Sequence, residues 1–388
     1  MCMEVKHTAS HNPQKELGHK LKSLRESLNL TVKDASGRMG FDSYQVLSNI
    51  ENGERPVKTY ELAKFSKIYC KDIGYFFREE KEIEEPVVMW RDRANIPDIK
   101  EKENRLIKYC ENYFSLELKT DSVIKDAFKI EDIEQDKFSF PSVESLAIKI
   151  WTDLQLGSRP SCSLWKILED NLGVKIIFLD LGEAGSGASA KGKFGSAIIL
   201  NRNNAPWRTN YDLAHEFFHL LTWGKFPIED IHAEKKTKTK VEQWADYFAS
   251  CILLPEDALI PEFNKRLKDH NISYIDCIDL AREFAVSTKA LLFRLANLKR
   301  LDNKLVKEVI EDEDMKRLDR QRRAEDRRAS PYLSDRYIYL AFKCYNLNLL
   351  SKGKLAEYLD IDRADVSNFL ASKGYSDKGD YSLELSTS

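Results

Sequence analysis

The chain has 388 residues, 42% of them apolar and 11% aromatic, which suits two or three domains with real cores and excludes a disordered or fibrous protein. Charged residues make up 32%, but 61 basic residues face 63 acidic ones, so the net charge of −2 shows no whole-chain basic excess of the kind expected for a nucleic-acid protein. No apolar run can span a membrane, residues 1–12 lack an apolar signal core, and the seven scattered cysteines form no CxxC pair; these features predict a reduced, cytoplasmic protein without membrane contact.

Residues 1–78 read as a run of short helices. Leu17, Leu21, Leu24 and Leu28 share one helical face. Thr31 and Asp34 form a capping box that opens a second helix, which Gly40 is placed to end. Asp42 is placed to cap a third helix running to Glu51, with Gly53 just beyond, and a fourth covers about 58–68. This stretch resembles the Cro/C1-type (XRE) helix-turn-helix domain, through Leu30-Thr31, Met39-Gly40 and above all Ser48-Asn49-Ile50-Glu51-Asn52-Gly53. The resemblance implies a five-helix fold whose third helix enters the DNA major groove. Ser43, Tyr44, Gln45 and Ser48 would then meet base edges, Asn49 would lie near the backbone, and Gln45 could pair bidentately with adenine. Lys33, Arg38, Arg55 and Lys58 would contact phosphates. Val32 stands where a phosphate-touching Gln is usual, and Ala35 and Ser36 replace a usual Leu-Ala pair. Binding to protein, or dimerisation, is the competing reading. In residues 1–77, twelve Lys/Arg against nine Asp/Glu give +3, which favours DNA weakly.

Residues 79–139 read as a linker and helical connector, opening with five glutamates within 79–85 before Pro86. In 140–299, a helix at 163–172 ends at Gly173, strands follow at 174–179 and 194–200, and the Gly/Ser/Ala-rich stretch 182–192 between them reads as a loop. Thr209 and Asp212 look like a capping box opening the next helix. That helix carries His215-Glu216-Phe217-Phe218-His219. Residues four apart share a helical face, so both imidazoles can hold one Zn²⁺, and Glu216 can act as general base on metal-bound water. A catalytic zinc needs a third protein ligand. A second helix at 239–254 puts Glu242, Ala245, Asp246 and Ala249 on one face, where the alanines allow close approach. Glu242 is the preferred third ligand, with Asp246 orienting a ligand histidine through its other ring nitrogen; the reverse assignment stays open. His232 and Tyr247 either stabilise an oxyanion or are simply solvated.

Residues from about 140 to 300 resemble the ImmA/IrrE family of bacterial and phage metallo-endopeptidases. The carriers are Gly192-Lys193-Phe194-Gly195, the segment from Ala197 to Asn201, the stretch from Asp212 to His219, Glu242 to Ala249 with Pro255, and a tail from Leu280 to Ser287 with Arg294-Leu295. The resemblance implies a gluzincin-like α+β domain with a small sheet, and cleavage of a partner repressor in a stress, phage or mobile-element response. Phe218 departs from a frequent small residue and Asp246 from a common Asn. Residues 300–333 are a charged helical spacer, with ten basic and nine acidic residues in 300–330. Residues 334–388 form a small helical unit with helix-turn-helix rhythm, read as a packing or dimerisation element ahead of a second DNA contact.

The expected whole is a mainly α, multidomain, DNA-binding zinc endopeptidase with DNA and a protein substrate as partners and a homodimer as a possible assembly. The alternative is a transcription regulator, or a toxin–antitoxin or phage-defence component, whose zinc domain senses a ligand or partner with little proteolysis.

Overall fold

The computed structural model describes residues 13–28, 30–71, 73–77, 86–90, 96, 98–124, 135–182, 187–226, 239–326 and 331–375. Among them are seventeen α-helices and one mixed four-stranded sheet. None of these helices is long and apolar enough to cross a membrane. The chain divides into two compact units, Met1–Glu85 with Asp98–Lys108, and Pro86–Pro97 with Tyr109–Ser388.

The first unit contains α1 (Pro13–Ser27), α2 (Val32–Met39), α3 (Tyr44–Glu51) and α4 (Thr59–Ile68), followed by a 3₁₀ turn at Ile73–Phe77 where the expected fifth helix would lie. The Thr31–Asp34 capping box is present, and Gly40 ends α2 in the left-handed conformation. The cap of α3 is Ser43 rather than Asp42, because the Ser43 hydroxyl accepts the Gln45 amide. Leu21, Ala35, Met39, Leu47, Ile50 and Phe65 form the core. α1 and α3 approach so closely that a Cβ on Gly18 would lie 2.5 Å from the Ile50 carbonyl.

A buried ion pair locks these same helices. Arg25 Nε and Nη2 donate to the two Glu51 carboxylate oxygens at 2.7 and 3.0 Å, and Nη1 donates to the Leu30 carbonyl. Both side chains are buried. Removing one partner strands a desolvated charge, so Glu51→Ala is expected to destabilise this unit by about 3–5 kcal/mol. Replacing both residues with apolar ones should cost much less. Chemical denaturation of the two variants side by side checks this; equal losses would show that the pair is not what matters.

In the second unit the sheet runs β1 (Val87–Trp90), β3 (Gly187–Gly192), β4 (Gly195–Asn201), β2 (Lys175–Leu179). β3 and β4 make an antiparallel hairpin across Lys193-Phe194, with Gly195 at φ 88°. β2 pairs parallel with β4, and β1 pairs antiparallel with β3. Two expectations are corrected here. The stretch 182–192 is not all loop, since β3 occupies its second half; Ala188, Ser189 and Ala190 are fully buried, and their small size lets a helix lie on that strand. β1 was not anticipated beyond the glutamate run, which itself lies outside the described residues.

That covering helix, α8 (Pro206–Leu221), starts with Pro206 in its first turn rather than at Thr209. Thr209 bonds back to the Ala205 carbonyl, and buried Asp212 accepts from Asn204. α9 (Lys240–Leu253) packs against α8, with Ala245 and Ala249 fully buried. Phe217, Phe218 and Phe248 interlock between them, each burial contributing roughly 1.5–3 kcal/mol. Phe218 is completely buried, so the departure from a small residue is absorbed by the core.

The charged stretch after residue 300 forms two helices, Asn303–Glu311 and Glu313–Arg322, whose charged side chains are mostly exposed while one face packs. Val306 and Met315 join a core with Cys277, Ile278 and Leu292. Arg323 is buried, donates to Asp319 and the Val286 carbonyl, and sits over Trp207; Arg282 and Arg322 pair with Asp326 and Asp279. The helix Asp335–Asn346 is tied down by Arg336, which bonds Glu117, and Glu117 also holds Lys175 of β2 at 2.9 Å. Beside this network, burial raises the Glu169 carboxyl to about 7.

Candidate metal centre

The helical period of α8 places His215 and His219 one turn apart on the face turned toward α9. Their Nε2 atoms lie 3.2 Å apart. Glu242, in the first turn of α9 with its amide capped by Thr239, puts one oxygen 3.3 Å from His215 Nε2 and the other 3.1 Å from His219 Nε2. All three residues are buried. Burial alone would raise the Glu242 carboxyl, but hydrogen bonds and charge from His215 and His219 outweigh it and hold the acid far below the ordinary carboxylate range.

The spacing of these donors tests whether zinc fits. Ligands about 2.0–2.1 Å from a tetrahedral Zn²⁺ stand about 3.3–3.4 Å from one another. The two Nε2 atoms, 3.2 Å apart, suit two corners of such a tetrahedron, and the Glu242 carboxylate brings one oxygen within 3.3 Å of His215 Nε2 and the other within 3.1 Å of His219 Nε2. Two imidazoles and a carboxylate also form the donor set this ion takes, and three protein ligands leave a fourth position open.

Asp246, one turn after Glu242, accepts or shares a proton with His215 Nδ1 at 2.9 Å, which leaves Nε2 facing the other donors. Its carboxylate is about one-fifth exposed, with a side-chain value of 22%. Of the two carboxylates on this face, Glu242 is the one that joins the donor cluster. Glu216 is buried on the sheet side of α8, with Oε2 2.8 Å from Ser189 Oγ. Two contributors escaped the sequence reading. Ser189 lay in the stretch taken for a loop, where nothing signalled its role. Tyr211 donates from its hydroxyl to the Asp246 carbonyl at 2.7 Å, linking the two helices; its position four residues before His215 was the available clue.

Tyr247 is engaged elsewhere, donating to Glu144, which pairs with buried Arg294. Arg294 also bonds the Leu254 carbonyl, so this residue of the motif tail braces the helices. His232 lies outside the described residues.

In the first unit, Tyr44, Gln45, Ser48 and Asn49 fall along one side of α3, with Tyr44 57% exposed, while the Ser43 hydroxyl is used in capping. Lys33, Arg38 and Lys58 are exposed, and Arg38 pairs with Glu101. Arg55 is engaged within its own unit. Its guanidinium makes two hydrogen bonds to buried Glu61, at 3.0 and 2.8 Å, and lies over Phe41.

A mixed sheet covered by a helix bearing two histidines and a carboxylate, with a second helix closing the donor set, defines a buried His-His-Glu cluster able to hold a metal ion. Residues 169–296 match the model of the Peptidase_M78 family, described as the IrrE N-terminal-like domain. Comparison with curated proteins gave no significant match. Among solved structures, a Mycobacterium tuberculosis transcriptional regulator is similar at 15% identity with a TM-score of 0.30. The match covers 48% of this chain and 51% of that one, so the chain spans about half of that regulator's length.

Proposed function

We propose that the chain is a zinc-dependent metallo-endopeptidase joined to a DNA-binding helical module. Residues 140–299 carry the peptidase and residues 1–78 read DNA. The observation that carries the proposal is the buried cluster of His215, His219 and Glu242, with donor atoms close enough to share one metal ion and Glu216 next to it in the chain. The match of 169–296 to a metallopeptidase family supports the same reading. Its substrate is a partner repressor or regulator, cut in a stress, phage or mobile-element response.

His215, His219 and Glu242 hold the metal, and Asp246 fixes the tautomer and orientation of His215. A zinc ion held by these three residues would supply Lewis-acid polarisation of a scissile carbonyl and an acidified water. Glu216 takes the proton from the attacking water and passes it to the leaving amine. The core of Phe217, Phe218 and Phe248 keeps the carboxylate and imidazoles at fixed separation. The test is zinc analysis of purified protein together with incubation with the regulator encoded beside it. One zinc per chain and a discrete cut are expected; protein that takes up no zinc would refute the reading.

The exposed row on α3 supports base reading through Tyr44 and Gln45. Gln45→Ala is expected to weaken binding to DNA selected from a random pool by about 1–3 kcal/mol, and to relax preference at one base pair, when measured at fixed salt. Should gene regulation depend on Tyr44 and Gln45 yet survive Glu216→Gln, the chain is instead a regulator whose zinc domain senses a ligand or partner.

A further inference from the structure

We infer that Ser189 is the positioning residue of Glu216, fixing one carboxylate oxygen so that the other is presented to the proton, and that Gly187 keeps that second oxygen clear; this rests on the peptidase reading. Successive residues of a strand alternate faces, so Gly187 and Ser189 of β3 point to the same side, toward α8. Ser189 is fully buried, and its Oγ lies 2.8 Å from Glu216 Oε2 and 2.9 Å from the Glu216 carbonyl oxygen. The hydroxyl has one hydrogen, and the carboxylate, being charged, is the stronger acceptor. Glu216 Oε1 is buried as well, yet it makes no hydrogen bond among the described residues. A buried carboxylate oxygen without a partner needs an explanation, and a site for a polar reactant supplies one. A Cβ on Gly187 would stand 3.3 Å from this same oxygen, 3.2 Å from Glu216 Cγ and 2.8 Å from the Ile199 carbonyl. Glycine therefore leaves open the space that any other residue would fill.

The proton path follows. As the water oxygen bonds to the scissile carbonyl carbon, its proton moves to Oε1. When the C–N bond breaks, that proton goes to the amine nitrogen and Glu216 returns to the carboxylate. A carboxylate free to rotate would offer either oxygen in many orientations; held through Oε2, it offers one.

A merely structural Ser189, tying strand to helix through the Glu216 carbonyl, would act independently of the Glu216 side chain. The two roles are separated by a double-mutant cycle on the zinc-loaded full chain, using acetohydroxamate as the probe. This small chelator binds zinc and offers a proton to a neighbouring carboxylate. Its affinity is measured calorimetrically for wild type, Ser189→Ala, Glu216→Gln and the double variant. Ser189→Ala should weaken binding about 10-fold or more in the wild-type background, and hardly at all beside Glu216→Gln. Zinc content should stay at one per chain. Ser189→Thr, which keeps the hydroxyl, should restore affinity, and Ser189→Cys, close in size, replaces Ser189→Ala should the latter fail to fold. An equal effect in both backgrounds, or none in either, would overturn the inference while leaving the peptidase reading intact. Wild type that binds no zinc would overturn both.

Discussion

Glu216→Gln is expected to lower peptide cleavage by about 10²–10⁴-fold while zinc stays bound at one per chain. The carboxylate lies outside the donor triangle, so its loss takes no ligand from the metal. The side chain is 1% exposed and packed, and glutamine has nearly the same shape, so the fold should be retained. An amide oxygen can still accept from Ser189, but an amide cannot take up and return a proton at neutral pH. The variant therefore separates binding from chemistry: KM should change little and kcat should carry the loss. Cleavage kinetics with metal analysis of the same preparation check this. Cleavage at the wild-type rate would remove Glu216 as the base.

The legible part of the site was the part written in helical period. His215 with His219, and Glu242 with Asp246, are each four apart, and a spacing of four on a helix fixes which atoms share a face whatever the tertiary structure. Alanines at 245 and 249 signalled close approach, and both are fully buried between the helices. The Thr31–Asp34 cap and the Gly40 stop were legible for the same reason, since each is settled within one turn. Strand β3 was not, because Gly187, Ala188, Ser189 and Ala190 carry no strand propensity. They form a strand since β4 and β1 pair with them from either side and only small residues fit beneath α8. The same limit hid Ser189, whose partner is 27 positions away. It hid the Arg25–Glu51 lock as well, 26 positions apart, although Glu51 lies inside the motif that carried the helix-turn-helix resemblance. Arg55 and the charged helices after residue 300 show the converse. Charge in a sequence suggests solvent or phosphate, but these cations are paired with carboxylates of their own chain. Whole-chain charge was uninformative because it sums such internally matched pairs.

Glu242→Ala is expected to abolish zinc binding, whereas Asp246→Asn should weaken it only about 10–100-fold. Both carboxylates face His215, at 3.3 and 2.9 Å, so contact with one imidazole does not distinguish their roles. Of the two, Glu242 also reaches His219, at 3.1 Å, and completes the cluster of donors that can share one metal ion. Asp246 touches the far side of the His215 ring, where it can set the tautomer but cannot join a centre shared by both Nε2 atoms. Metal that binds only the folded chain stabilises it by about 2.7 kcal/mol at a hundred times its Kd, and by about 4.1 kcal/mol at a thousand times. Wild type should therefore melt at a lower temperature once zinc is stripped by a chelator. Glu242→Ala should melt at one temperature with or without the chelator. Asp246→Asn should keep the difference but need more zinc to reach it. Titrating zinc against the melting temperature of all three proteins measures this directly. Zinc-dependent stabilisation that survives in Glu242→Ala and disappears in Asp246→Asn would exchange the two roles, making Asp246 the ligand and Glu242 the residue that orients a histidine.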